Sequence, residues 1–135
     1  NGVWVVDAAA LEVVTFVPTG KGAHGVYPSR DAKRLFVSNR DGASISVLDA
    51  RGRTVVARWP LPTGASPDMG GVSADGRQLW LSGRYDGVVY VVDTANGRLL
   101  HTIKVGDPGL ALHDAVPLAS QDPPKPNSMA GPTHE

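Results

Sequence analysis

Four side chains in this sequence have the chemistry to bind a charged ligand or move a proton: His24, Arg40, Asp68 and Arg84. An imidazole can serve as a metal ligand, a haem ligand or a general base near neutral pH. A guanidinium holds a carboxylate or phosphate through a planar fork of N–H donors. Arg40 is matched 44 residues later by Arg84, and the place matching His24 in the next block is Asp68 or Met69, so the blades do not form a ring of His ligands. Plainer roles stand beside these. His24 could bond only a neighbouring loop, Ser66-Pro67-Asp68 reads as a turn, and each arginine could simply pair with the aspartate beside it, Asp41 or Asp86.

Other chemistry has little support. His101, His113 and His134 lie at unrelated positions, so no spacing of two histidines and a carboxylate suggests a metal centre. Gly20-Lys21-Gly22 lacks the spacing and the terminal Lys-Ser/Thr of a phosphate-binding loop. Ser38 and Ser82 recur inside strand-like segments, and no nucleophile elbow surrounds either. The residues imply no catalytic set and no cofactor.

The elements that must position the four come from a repeat. Asp7, Asp49 and Asp93 each end an apolar run, at spacings of 42 and 44. Asp31, Leu35, Ser38 and Arg40 meet Asp75, Leu79, Ser82 and Arg84, each at 44. Each period divides into four short strand candidates: Gly25–Pro28, Arg34–Asn39, Ser44–Asp49 and Thr54–Leu61, then Gly71–Ala74, Gln78–Gly83, Val88–Asp93 and Arg98–Val105. Asp75-Gly76 and Asn96-Gly97 are hairpin dipeptides, and Asp41-Gly42 and Asp86-Gly87 mark the other hairpins. Asp49 and Asp93 are placed to accept N–H groups two or three residues on.

Val88–Val92 is apolar on both faces, which calls for a sheet covered on both sides. No long helical periodicity exists to supply covering helices. The covers must be other sheets, as in four-stranded antiparallel blades stacked around an axis. The reading is therefore all-β, a partial β-propeller of about three blades over residues 1–116, with breaks near 20–24, 64–68 and 106–109. Gly109–Val116 is a weak first strand of a further blade, and the Pro-rich stretch 117–135 is expected to be a disordered tail. Trp4, Trp59 and Trp80 are expected in the core or between blades.

The blocks resemble the YVTN β-propeller repeat. His24-Gly25-Val26-Tyr27-Pro28-Ser29-Arg30-Asp31-Ala32-Lys33-Arg34-Leu35-Phe36-Val37-Ser38-Asn39 carries the likeness. So do Gly71-Val72-Ser73-Ala74-Asp75-Gly76-Arg77-Gln78-Leu79-Trp80-Leu81-Ser82-Gly83 and Val91-Val92-Asp93-Thr94-Ala95-Asn96-Gly97. It covers about residues 3–109. The resemblance implies a seven-bladed ring, commonly exported from bacterial or archaeal cells. The chain would then be a C-terminal fragment of a larger extracytoplasmic protein. It opens at Asn1 with no charged leader and apolar core of a signal peptide.

Alternating strand direction sorts the loops onto two rims. One carries Lys21–His24, Asn39–Ser44, Ser66–Met69, Gly83–Gly87 and Asp107–Gly109, the longer connections. The other carries the tight turns. Binding sites favour long loops on a rigid scaffold. The functional expectation is a non-catalytic scaffold that binds a protein, peptide or small ligand at the rim of His24, Arg40, Asp68 and Arg84. Alternatives are a propeller subunit of an enzyme or redox protein, lactone hydrolase-like or linked to haem or quinone, and a pure assembly module.

Composition narrows the partners. The 13 basic and 13 acidic residues cancel, which offers no electrostatic basis for nucleic acid or an anionic membrane. No run approaches the 18 apolar residues of a membrane helix. Cysteine is absent, so disulfides and thiolate metal sites are excluded. One open blade face covers roughly 300 Å². Leaving it wet forfeits on the order of 8 kcal/mol. The open faces are therefore expected to meet missing blades or further copies of the chain.

Overall fold

The aspartates that end the apolar runs build the turns. Asp7 Oδ1 accepts the N–H groups of Ala9 and Ala10, and Asp49 Oδ1 those of Arg51 and Gly52. Asp93 Oδ1 accepts from Ala95 at 2.7 Å. These bonds favour the ionised form, and they hold the Asp7 and Asp49 carboxyls below the ordinary range. Asp31 and Asp75 act alike at the tight turn. Each accepts the serine hydroxyl two residues before it at 2.6 Å and the N–H two residues after it.

The computed structural model describes residues 1–106, and the proposed strand at 109–116 and the stretch 117–135 lie outside them. Ten strands follow in order: β1 Gly2–Asp7, β2 Glu12–Pro18, β3 Ala23–Pro28, β4 Arg34–Asn39, β5 Ser44–Asp49, β6 Thr54–Pro60, β7 Pro67–Val72, β8 Gln78–Gly83, β9 Val88–Asp93 and β10 Leu99–Lys104. They pair antiparallel as a hairpin, β1-β2, and two four-stranded meanders, β3-β4-β5-β6 and β7-β8-β9-β10. The fold is all-β and is a partial β-propeller. Asp41-Gly42 joins the β4–β5 hairpin within a short 3₁₀ turn, Arg40–Gly42. Ser66-Pro67-Asp68 is not a free turn, because β7 already begins at Pro67.

The two complete blades differ in how they make the same turns. Gly76, Gly87 and Gly97 hold positive φ in the second meander. Ala32, Ala43 and Arg53 hold φ of 56°, 44° and 54° at the matching places in the first. An L-residue with a β-carbon is disfavoured there. The repeat geometry is therefore imposed by the surrounding sheet even where the local sequence lacks glycine.

Side chains alternate between the two faces of each blade, and the central strands β4 and β5 bury residues on both. Phe36, Ile45, Val47 and Trp59 from the first meander pack against Leu79, Leu81, Tyr90 and Val92 from the second. Val37 and Leu48, on the opposite face of the first meander, pack with Val17 of the β1-β2 hairpin. The three tryptophans divide between covered and open blade faces. Trp59 is buried between blades, but Trp4 is 66% exposed and Trp80 is 40% exposed. Trp80 points from the face of β8 opposite Leu79 and Leu81, away from the blade junction. Trp4 meets Phe16 in a tilted ring pair, at 4.7 Å between centroids, on the face of its hairpin opposite Val3 and Val5.

Candidate functional site

The site begins with a repeated irregularity. The β3–β4 register shifts between Ala23 and Val26, and the β7–β8 register shifts between Pro67 and Gly70. His24 lies inside the first shift and Asp68 inside the second. A bulge of this kind releases a residue from the ladder and re-aims its side chain. The recurring serines stabilise the bulges. Ser38 Oγ accepts the Gly25 N–H at 2.9 Å and donates to the Asp68 carbonyl at 2.8 Å. Ser82 Oγ accepts the Met69 N–H at 3.3 Å and donates to the Met69 carbonyl at 3.1 Å. The Tyr27 hydroxyl adds a second donor to the Asp68 carbonyl, at 3.1 Å. Burial first of all pushes the Tyr27 hydroxyl pKa up, so it remains a donor.

Strands β3 and β7 pack against each other across the blade boundary. That contact brings the four sequence-selected residues together. Asp68 Oδ1 lies 2.8 Å from His24 Nδ1 and 3.7 Å from an Arg40 terminal nitrogen. Asp68 Oδ2 accepts from Arg84 at 3.2 Å. The Asp68 side chain is only 4% exposed, whereas His24 and Arg84 each keep 37% and Arg40 keeps 23%. The carboxylate is thus a buried hub with a partly open ring of donors above it.

Geometry at the hub is incomplete. The His24 contact is close but not linear, so Oδ1 has no aligned hydrogen-bond donor, and the buried Arg84 Nε has no acceptor. Two guanidiniums and an imidazole share one carboxylate. Arg40 divides itself between Asp41 at 3.5 Å and Asp68 at 3.7 Å, both long.

The pairing of each arginine with its sequence neighbour is therefore only half realised. Arg40 does meet Asp41, but Asp86 is engaged elsewhere. Its carboxylate accepts the Ser66 N–H, the Ser66 hydroxyl and the Tyr90 hydroxyl. Arg84 turns to Asp68 instead. Sequence reasoning missed Tyr27, Met69 and Tyr85. Met69 and Tyr85 are 64% and 60% exposed, directly beside Asp68 and Arg84, and the Arg84 guanidinium lies 5.7 Å from the Tyr85 ring centroid. An exposed aromatic inside the variable rim loop Gly83–Gly87 was the available signal for Tyr85.

A hollow of 680 Å³ lies against Asp31–Arg34, Asp49, Arg51 and Val56, on the opposite rim. Asp31 and Asp49 there are already committed to turn N–H groups, and Lys33, Arg34 and Arg51 share the lining. Among the described residues, no group of three or more His, Cys, Asp or Glu could hold a metal ion.

The sequence and the fold place the chain among known proteins. It is 29% identical over 106 residues to the uncharacterized protein YncE of Salmonella typhi, covering 76% of this chain and 30% of that protein. The chain thus spans about three-tenths of the length of the curated relatives it matches. Among solved structures, the periplasmic gluconolactonase PpgL of Pseudomonas aeruginosa is 26% identical, with a TM-score of 0.63 over 80% of this chain and 36% of that one. Kuenenia stuttgartiensis hydrazine synthase is similar in fold alone, at 24% identity and a TM-score of 0.63 over 78% of this chain and 30% of that one. The YNCE-like beta-propeller family model matches residues 2–117, and the chain belongs to that family.

Proposed function

We propose that this chain forms part of a ligand-binding propeller scaffold whose binding rim is the Asp68 hub with His24, Arg40 and Arg84. The observation that carries the reading is the convergence. Four polar side chains from two blades meet at one buried carboxylate, on the rim with the longer loops. Purely structural ion pairs would close on themselves. Here the donors outnumber the acceptors, and three of the four side chains remain partly exposed. The ligand is a small molecule, a peptide or a protein segment.

The blades are read as YVTN-type repeats of a larger ring, whose further blades cover the open faces. An extracytoplasmic location fits the similarity to the periplasmic gluconolactonase of P. aeruginosa. In the full-length protein, alanine at each of the four positions should weaken binding of a partner found by affinity capture. Unchanged affinity for every such partner would overturn the site.

One observation favours a second reading as an enzyme. His24 Nδ1 lies 2.8 Å from a buried carboxylate, a contact that an oriented base would tighten into a hydrogen bond, and the similar P. aeruginosa protein is a gluconolactonase. Lactone hydrolysis by the full-length protein, lost in His24→Ala, would support that reading over binding alone.

A further inference from the structure

We propose that the hollow of 680 Å³ between the β3–β4 and β5–β6 turns binds a small organic carboxylate with an apolar body, held by Lys33, Arg34 and Arg51 and resting on Val56. This is a second site, on the rim opposite the Asp68 hub, and it does not rest on the reading above.

The repeat separates what the fold needs from what this blade adds. Asp31 and Asp49 close turns, and they return 44 residues later as Asp75 and Asp93. Lys33 returns as the basic Arg77. Arg34 and Arg51 do not return: Gln78 and Ala95 stand in their places, and Ala9 stands 42 residues before Arg51. A residue that turn geometry required would recur with the turn. Two of the three cations are therefore additions to a scaffold that folds without them elsewhere in the same chain.

The cations have donors to spare. Among the described residues, none of the three side chains enters an ion pair or a hydrogen bond. Arg34 lies opposite Asp49 in the β4–β5 register, but Asp49 Oδ1 accepts the Arg51 and Gly52 N–H groups instead. Asp31 Oδ1 accepts the Ser29 hydroxyl and the Lys33 N–H. Those bonds, the Ser29 hydroxyl foremost for Asp31 and the Gly52 N–H for Asp49, hold both carboxyls below the ordinary range, so both are ionised at neutral pH. Three cations against two carboxylates leave one positive charge, which a monoanion neutralises. A planar carboxylate suits the guanidinium fork. A phosphate dianion would leave net negative charge facing Asp31 and Asp49.

The apolar requirement comes from Val56. Val47 pairs with Ala57 and Leu48 with Val55, so Val56 is the bulged residue released from the ladder. It is 57% exposed and lines the hollow. The bulge belongs to the repeat, with Val14 and Leu100 at the same place. In this blade Arg34 and Arg51 share a hollow with it, which sets charge beside an apolar surface. The volume is that of a small-molecule site, roughly 300–1,000 Å³, and more than a bare ion fills.

The test is calorimetric titration of the full-length protein with benzoate, acetate, benzyl alcohol and inorganic phosphate, each as a separate probe. Benzoate should bind about tenfold more tightly than acetate, the effect of laying one ring face on Val56. Benzyl alcohol, without charge, should bind more weakly than benzoate by a similar factor. Arg34→Gln and Arg51→Ala install the residues that the second blade carries at these places, so the turns keep their geometry. Each should weaken benzoate about fivefold. Val56→Ser should reduce the preference for benzoate over acetate to about twofold or less. Near-UV circular dichroism checks that each variant keeps its fold, and Val56→Thr is the second variant if the serine does not. No benzoate binding, equal binding of benzoate and acetate, tighter binding of phosphate, or benzoate affinity unchanged in both arginine variants would each overturn the assignment. Benzoate binding that survives those variants and disappears in Arg84→Ala would move the anion to the hub and overturn it as well.

Discussion

The Arg30 guanidinium reaches from the β3–β4 turn of one blade to two main-chain carbonyls at the end of β7 in the next, Val72 at 2.6 Å and Ser73 at 2.9 Å. It staples the blades at the rim opposite the Asp68 hub. Two rigid bodies joined at both rims hold their shared site at a fixed width, which a preformed binding site needs. Arg30→Ala should lower the stability of the full-length protein by about 1 kcal/mol, modest because the bonds are exposed. Arg30→Lys should recover less than half of this, since an ammonium cannot reproduce the two-pronged geometry. The urea midpoint measures both.

The junction itself is apolar. Leu81 is fully buried among Phe36, Ile45 and Trp59 of the neighbouring blade and the aromatic and aliphatic residues of its own. Leu81→Ala should cost about 2–5 kcal/mol by creating a cavity there. Val56→Ala, on an exposed position, should change stability by less than about 0.5 kcal/mol. Equal shifts in denaturation midpoint would contradict the burial assignment.

Two turn glycines should behave differently. A β-carbon on Gly97, at φ +77°, would meet the Trp59 ring at 2.0 Å, whereas one on Gly64, at φ +86°, would meet nothing within 4 Å. Gly97→Ala should therefore cost about 2–4 kcal/mol, backbone strain plus overpacking. Gly64→Ala should cost about 1–2 kcal/mol, from strain alone. Conversely, Ala32→Gly should stabilise the protein by up to about 1 kcal/mol by relieving φ +56°. Thermal midpoints of the three variants separate these cases.

Acid should weaken the fold through Asp86. Burial pushes this carboxyl up, but the Ser66 hydroxyl, the Tyr90 hydroxyl and the Ser66 N–H together hold it below its ordinary value of 3.8. A carboxyl depressed in the folded state contributes stability that is present above the unfolded value and is lost as pH falls through the lower, folded one. Urea midpoints should accordingly stay flat from neutrality to about pH 5 and fall below about pH 4. Asp86→Asn should be less stable at neutral pH and show a shallower acid decline. An unchanged decline would remove Asp86 from the explanation.

Much of this architecture was legible in the chain. The 44-residue matches name the strand ends, and the aspartates at 7, 49 and 93 close their turns by contacts only two or three residues long. Such features are local: a carboxylate and the N–H groups it caps are neighbours in any conformation that forms the turn. Even the four rim residues could be selected, because strand alternation sends them to one end of the sheets.

Their partners could not be selected. Adjacency in sequence matches Arg84 with Asp86, yet Asp86 is taken by Ser66 and Tyr90, and Arg84 goes to Asp68. Asp68 and His24 are 44 residues apart and meet only because β3 and β7 pack side by side. The three tryptophans look equivalent in their strands, but among the described residues only Trp59 has a second blade over it. By itself the sequence determined the period, the turns and the rim. Which charges share a carboxylate, and which aromatic rings are covered, depended on how neighbouring blades dock, because those energies arise between residues far apart along the chain.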